Sequence, residues 1–158
     1  MRARVSTPVL RDEIFPGFTP ATPSPVRLAL PADARNIAVV RRALEAIAGE
    51  LGLPRRLVED MRLAVTEACT NVVRHAYTGG EAEEPDALRV ALLPQEHGMQ
   101  VIVEDNGRGP GASPDLRGPG LGLPLIAALT SEFEVTHGPG DRGSRVAMFF
   151  APARIEAT

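Results

Sequence analysis

The chain has 158 residues, a formal charge of −3 and an isoelectric point near 5.6. That length suits one domain with a real core, and the acidic balance gives no electrostatic reason to expect nucleic acid or an anionic membrane as partner. All 17 cationic side chains are Arg. Without Lys, neither a Walker P-loop nor the strand Lys of an ordinary protein kinase can be built, and three His cannot form a metal site without carboxylate help.

Residues 1–24, rich in Pro, Ser and Thr, lack sustained periodicity and read as a loosely ordered tail. They hold no apolar stretch of signal-peptide length, and no bilayer-spanning apolar run follows, so a cytoplasmic protein is expected. Val26 to Leu30 alternates as a short strand that Pro31 stops. Asp33 then suits the cap of a helix whose apolar residues Ile37, Val40, Leu44, Ile47 and Leu51 recur at spacings of three and four, and Gly52 closes it. Pro54 fits the first turn of a second helix reaching about Tyr77, with Leu57, Met61, Val65, Ala68 and Val72 on its buried face. Cys69 lies in that run, where a small buried thiol is expected. After the acidic stretch 78–86, Leu88–Leu93 and Met99–Val103 read as adjacent strands joined by a hairpin at "PQEHG". A Gly- and Pro-rich segment, "DNGRGPGASPDLRGPGLGLP", runs from 105 into a helical stretch over Leu121–Leu129. Phe133–Thr136 and Ser144–Phe150 complete the sheet. The order predicts an α+β fold, a two-layer sandwich with a mixed, mostly antiparallel sheet and helices on one face. Its domain spans residues 25–152, with a short tail over 153–158.

The second helix carries "EACTNVVRHAY", in which Glu67, Asn71 and His75 follow at intervals of four. Residues so spaced share one helical stripe, with about 6 Å between successive Cα atoms. A solvated face would account for a polar stripe, but Asn is a mediocre helix former, and its carbonyl oxygen is a hard ligand suited to Mg²⁺. A carboxylate one turn earlier could serve as general base beside such a metal. Asp105 ends a strand and is followed by Gly107 and Gly109, leaving room for a planar ligand whose exocyclic amine a carboxylate could accept. An ordinary Asp-Asn-Gly turn accounts equally for those residues alone. Gly118, Gly120 and Gly122 let backbone approach closely at a helix start, where free N–H groups attract phosphate.

In this order, E-x-x-x-N-x-x-x-H-A-Y, D-x-G-x-G, G-x-G-L-G-L and a late Gly143-Ser144 before the last strand resemble the GHKL or Bergerat-fold ATP-binding superfamily. "LAVTEACTNVVRHAY" is similar to the anti-sigma-factor serine/threonine kinases within it. The resemblance covers about residues 26–150. It implies ATP and Mg²⁺ as cofactors, Glu67 as catalytic base, Asn71 as metal ligand and Asp105 as the carboxylate that reads adenine. Gly107 and Gly109 would shape the adenine pocket, and Gly118, Gly120, Leu121 and Gly122 would belong to the lid and phosphate contacts. Ser144 stands where the family usually has Thr. Arg74 and His75 lie on or beside the phosphate-facing stripe, although His75 equally suits a helix end. Pro110-Gly111, a short lid between Gly111 and Gly118, and Pro119 depart from the family pattern at the lid.

The implied activity is phosphorylation of Ser or Thr on an anti-anti-sigma STAS-domain protein, together with sequestration of a sigma factor by a chain that dimerises. A non-sigma signalling kinase or a nucleotide-dependent binding module of the same fold would carry the same motif residues. The ATPase domain of a sensor histidine kinase fits less well. It needs a phosphoacceptor His upstream, and no His precedes residue 75.

Overall fold

A computed structural model describes residues 22–76, 87–106, 122–137 and 143–152, apart from the side chains of residues 75 and 76. Eight elements follow in chain order: β1 (Val26–Pro31), α1 (Ala34–Glu50), α2 (Arg55–Ala76), β2 (Ala87–Gln95), β3 (Gly98–Asp105), α3 (Gly122–Leu129), β4 (Glu132–His137) and β5 (Ser144–Phe150). The fold is α+β. The five strands form one sheet in the order β1-β2-β3-β5-β4. Every pairing among them is antiparallel, so the parallel component expected of a mixed sheet does not occur among the described residues.

Local chemistry explains the element ends. Asp33 accepts the Arg35 backbone N–H at 2.9 Å and caps α1. Hydrogen bonds from the Arg35 guanidinium and then from its backbone hold the Asp33 carboxyl down at about 2. Gly52 turns the chain out of α1 with φ of 64°, in the left-handed region that favours glycine. The β2–β3 hairpin is tighter than "PQEHG" suggests. Pro94 and Gln95 pair with Met99 and Gly98, leaving Glu96 and His97 as the turn. Pro94 is accommodated because β1 stops pairing at Leu92, so its missing N–H interrupts no ladder on that side. Gly98 allows β3 to start there, since a Cβ at this position would lie 2.1 Å from the Phe150 carbonyl oxygen.

The core lies between the helices and one face of the sheet. Val40 and Leu44 of α1, Met61, Val65 and Cys69 of α2, and Ile126 of α3 are buried with Leu88, Val90, Leu92, Met99, Val101, Val103, Met148 and Phe150 of the strands. The predicted stripes of α1 and α2 therefore face inward. The buried face of α2 is wider than the predicted stripe, because Ala64 and Val73 join it, while Cys69 is buried as expected. Both α1 and α3 flank α2, so it needs apolar residues over a broader arc. An interhelical ion pair, Arg62 to Glu45 at 2.7 Å, links α1 and α2 at their exposed edge.

Candidate functional site

The C-terminal half of α2 supplies one wall. Cys69, Val72 and Val73 anchor it in the core, leaving Glu67 and Asn71 half-buried and Arg74 exposed on the polar side. Among the described residues, no hydrogen bond or ion pair engages the Glu67 or Asn71 side chain. Thr70 is committed elsewhere, as its hydroxyl donates to the Thr66 carbonyl at 2.7 Å.

The first residue of α3 meets this wall. A Cβ on Gly122 would lie 2.9 Å from Asn71 Nδ2 and 3.4 Å from its Oδ1, so glycine is what lets the helix start approach the carboxamide. The free N–H groups of the first turn of α3 thus open beside Asn71, where partial positive charge favours an anion. This is the part of the site that fits a metal-bound polyphosphate: a neutral oxygen ligand from Asn71, a donor-rich helix start and a half-buried carboxylate one turn away at Glu67. Among the described residues no group of three or more His, Cys, Asp or Glu could hold a metal ion, so Asn71 would share such an ion with phosphate oxygens.

The second part is a corner at the end of β3. Asp105 pairs across the sheet with Ser144, and the Ser144 hydroxyl donates to Asp105 Oδ2. Gly143, with φ of 72°, is buried against the Asp105 backbone, and a Cβ there would come within 2.6 Å of the Asp105 carbonyl oxygen. On the other side, Asn106 Oδ1 accepts the Ala87 N–H at 2.9 Å, tying the corner to the start of β2. The Asp105 carboxylate is half-buried and held by its Ser144 bond, an arrangement suited to accept an amine from a planar ligand. The roles of Gly143 and Asn106 escape sequence reading. The "DNG" motif signals a turn, but nothing in it shows that the Asn would bond the entry of a strand 19 residues earlier.

Among the sequence-predicted residues, Asn71 and Gly122 are brought together, and Asp105 and Ser144 are brought together. Gly107, Gly109, Gly118, Gly120 and Leu121, the lid between Gly111 and Gly118, and the His75 side chain lie outside the described residues.

Residues 30–150 match the histidine kinase-like ATPase domain family. The chain is an RsbW-like member of that family. It is 35% identical over 133 residues to the serine-protein kinase RsbW of Halalkalibacterium halodurans, covering 75% of this chain and 79% of that one. To the serine-protein kinase RsbW of Bacillus pumilus it is 32% identical over 130 residues, covering 73% and 80%. The same fold occurs in a crystal structure of the RsbU and RsbW domains of a Mycobacterium tuberculosis protein, with a TM-score of 0.60 and 24% identity. That match covers 85% of this chain and 35% of the larger protein, so this RsbW-like chain spans about a third of it. The matched segment begins within β1 and ends at the last residue of β5, so all the described elements fall inside it apart from the first residues of β1. No helix among the described residues is long and apolar enough to cross a membrane.

Proposed function

We propose that this chain is a cytoplasmic serine/threonine protein kinase of the anti-sigma-factor type. It would use Mg-ATP to phosphorylate a STAS-domain antagonist and would hold a sigma factor when that antagonist is modified. The observation that carries the reading is the approach of Gly122 to Asn71, which sets a hard oxygen ligand beside the donor-rich start of α3. Similarity to serine-protein kinases named RsbW supports the same reading.

When bound, Mg-ATP supplies the phosphoryl group and much of the charge neutralisation. The protein's part is to position and to manage a proton. Asn71 would hold the metal through its carboxamide oxygen, and the start of α3 would donate backbone N–H groups to the phosphates. Asp105, oriented by Ser144, would accept the adenine amine. Glu67, one turn from Asn71, would take the proton from the incoming Ser or Thr hydroxyl. Arg74 is exposed on the same part of α2 and can meet phosphate or partner protein. His75, Gly107, Gly109, Gly118, Gly120 and Leu121 would complete the lid and pocket.

The test combines the purified chain with STAS-domain proteins of its own cell, Mg-ATP and phosphosite mass spectrometry. A Ser or Thr phosphate that appears with the native chain and not with Glu67→Gln supports the kinase. Intact ATP binding with no transfer to any STAS protein, and partner binding that survives Glu67→Gln, would replace it with a nucleotide-dependent binding module.

A further inference from the structure

Helix α2 buries one side in the core, and its opposite side carries a line of exposed side chains. Arg56, Leu63 and Arg74 are separated by seven and eleven residues, and at about 100° per residue both spacings return to within about 20° of one line. All three are exposed, Leu63 by 45%. Glu67 lies one turn past Leu63 and about 40° round the helix from it, with Asn71 at about 80°. The line therefore passes the candidate site and extends beyond it at both ends, over about 27 Å in all.

A single exposed Leu is ordinary on a protein surface, and this one gains meaning from its neighbours. Leu123, 41% exposed, directly follows the glycine that meets Asn71. One exposed leucine thus precedes Glu67 on α2, and another stands beside Asn71 on α3. The cations divide as clearly. Arg55 is engaged by Glu59 at 3.5 Å and Arg62 by Glu45 at 2.7 Å, both away from the line. Arg56 and Arg74, on the line, make no ion pair among the described residues, although Asp60 is one turn from Arg56.

We propose that this line of α2, together with Leu123, is the docking surface for the protein that supplies the acceptor hydroxyl, and that this partner is apolar beside its Ser or Thr and acidic on either side of it. Because the other side of α2 is buried, a hydroxyl reaches Glu67 only if its protein lies against the exposed side, where Leu63 is one turn away. The two leucines then make the apolar centre of the contact, and Arg56 and Arg74 pair with carboxylates at its rim. A line of about 27 Å matches the width of a patch of about 800 Å², the usual share of one partner in a specific interface. This docking rests on the kinase reading, since it assigns the direction from which the hydroxyl enters.

Steady-state phosphorylation of the STAS-domain proteins of the same cell by the full chain tests it, with Mg-ATP affinity measured separately by calorimetry. Leu63→Gln and Arg56→Glu should each raise KM for the acceptor about tenfold or more while kcat stays within about threefold, as expected when binding common to the ground and transition states is lost. Mg-ATP affinity should be unchanged, because neither side chain belongs to the candidate nucleotide site. Leu63→Met and Arg56→Lys, which keep bulk and charge, should stay within about threefold of the native KM. A negative charge at position 56 falls in the first turn of α2, where the helix dipole favours it, and Leu63 is exposed. Unchanged thermal unfolding of each variant then separates loss of docking from loss of the fold. Native KM values in both Leu63→Gln and Arg56→Glu, with phosphate still transferred, overturn the docking surface and leave the kinase reading standing. A native chain that binds Mg-ATP yet neither binds nor phosphorylates any STAS-domain protein removes the kinase reading, and the docking surface falls with it.

Discussion

Glu67 and Asn71 are one turn apart on a helix whose other side is buried, yet they are assigned opposite duties, and substitutions should separate them. Glu67→Gln keeps size and polarity but removes the base, so phosphoryl transfer should fall by about 10²-fold or more while nucleotide affinity, read by titration calorimetry, stays near native. Asn71→Ala should instead abolish the Mg²⁺ dependence of ATP binding, and affinity that still rises with Mg²⁺ would exclude Asn71 as the ligand. At the other corner, Asp105→Asn should weaken ATP selectively against GTP. Asn106 gives a finer test. Its carbonyl oxygen accepts the Ala87 N–H, so Asn106→Ala should weaken ATP binding by loosening the Asp105 corner, whereas Asn106→Asp, which retains an acceptor, should recover most of it. Equal affinities in the Ala and Asp variants would show that this bond does not position Asp105. The chemical identities of these groups are legible in the chain, because a carboxylate four residues before an Asn on a helix and a second carboxylate before two glycines each suggest their chemistry. Their partners are not. Ser144 reaches Asp105 only because β5 lies beside β3, and Gly122 reaches Asn71 only because α3 packs on α2.

The helices and strands follow from periodicity and punctuation wherever a single neighbour covers them. The α1 stripe, the Asp33 cap and the Gly52 exit are read directly from spacing and residue type. Helix α2 is the exception, because it is sandwiched and buries Ala64 and Val73 along with the expected stripe and Cys69. Burial pushes the Cys69 thiol from 9.0 up to about 12. Between those values the unfolded chain gives up the thiol proton and the folded chain keeps it, so the unfolded state binds fewer protons and stability falls as pH rises. Chemical denaturation from pH 8 upward should show this alkaline loss, and Cys69→Ala should flatten it. The same burial should leave the native thiol unreactive toward a thiol reagent until the chain unfolds. In the β2–β3 hairpin, Gly98→Ala would drive a methyl into the Phe150 carbonyl and should cost about 1–3 kcal/mol in a denaturant melt.

Across the molecule, the strand order places β3 at the centre, with its C-terminal residue Asp105 between the start of β2 and the start of β5. Asp105 is thereby braced from both sides. Ligand binding at such a site should be visible in global stability. Mg-ATP at about 100 times its dissociation constant should stabilise the fold by about 2.7 kcal/mol, and Asp105→Asn should reduce that increment at fixed nucleotide concentration. Residue order and spacing alone determine the α+β class, the helix and strand positions, and the chemistry available at Glu67, Asn71 and Asp105, because these depend on local propensity, periodicity and side-chain type. The placement of Gly122 on Asn71 and of Ser144 and Asn106 around Asp105 depends on which elements pack together. Those contacts join residues from 19 to 51 positions apart, and they follow from burying one common core.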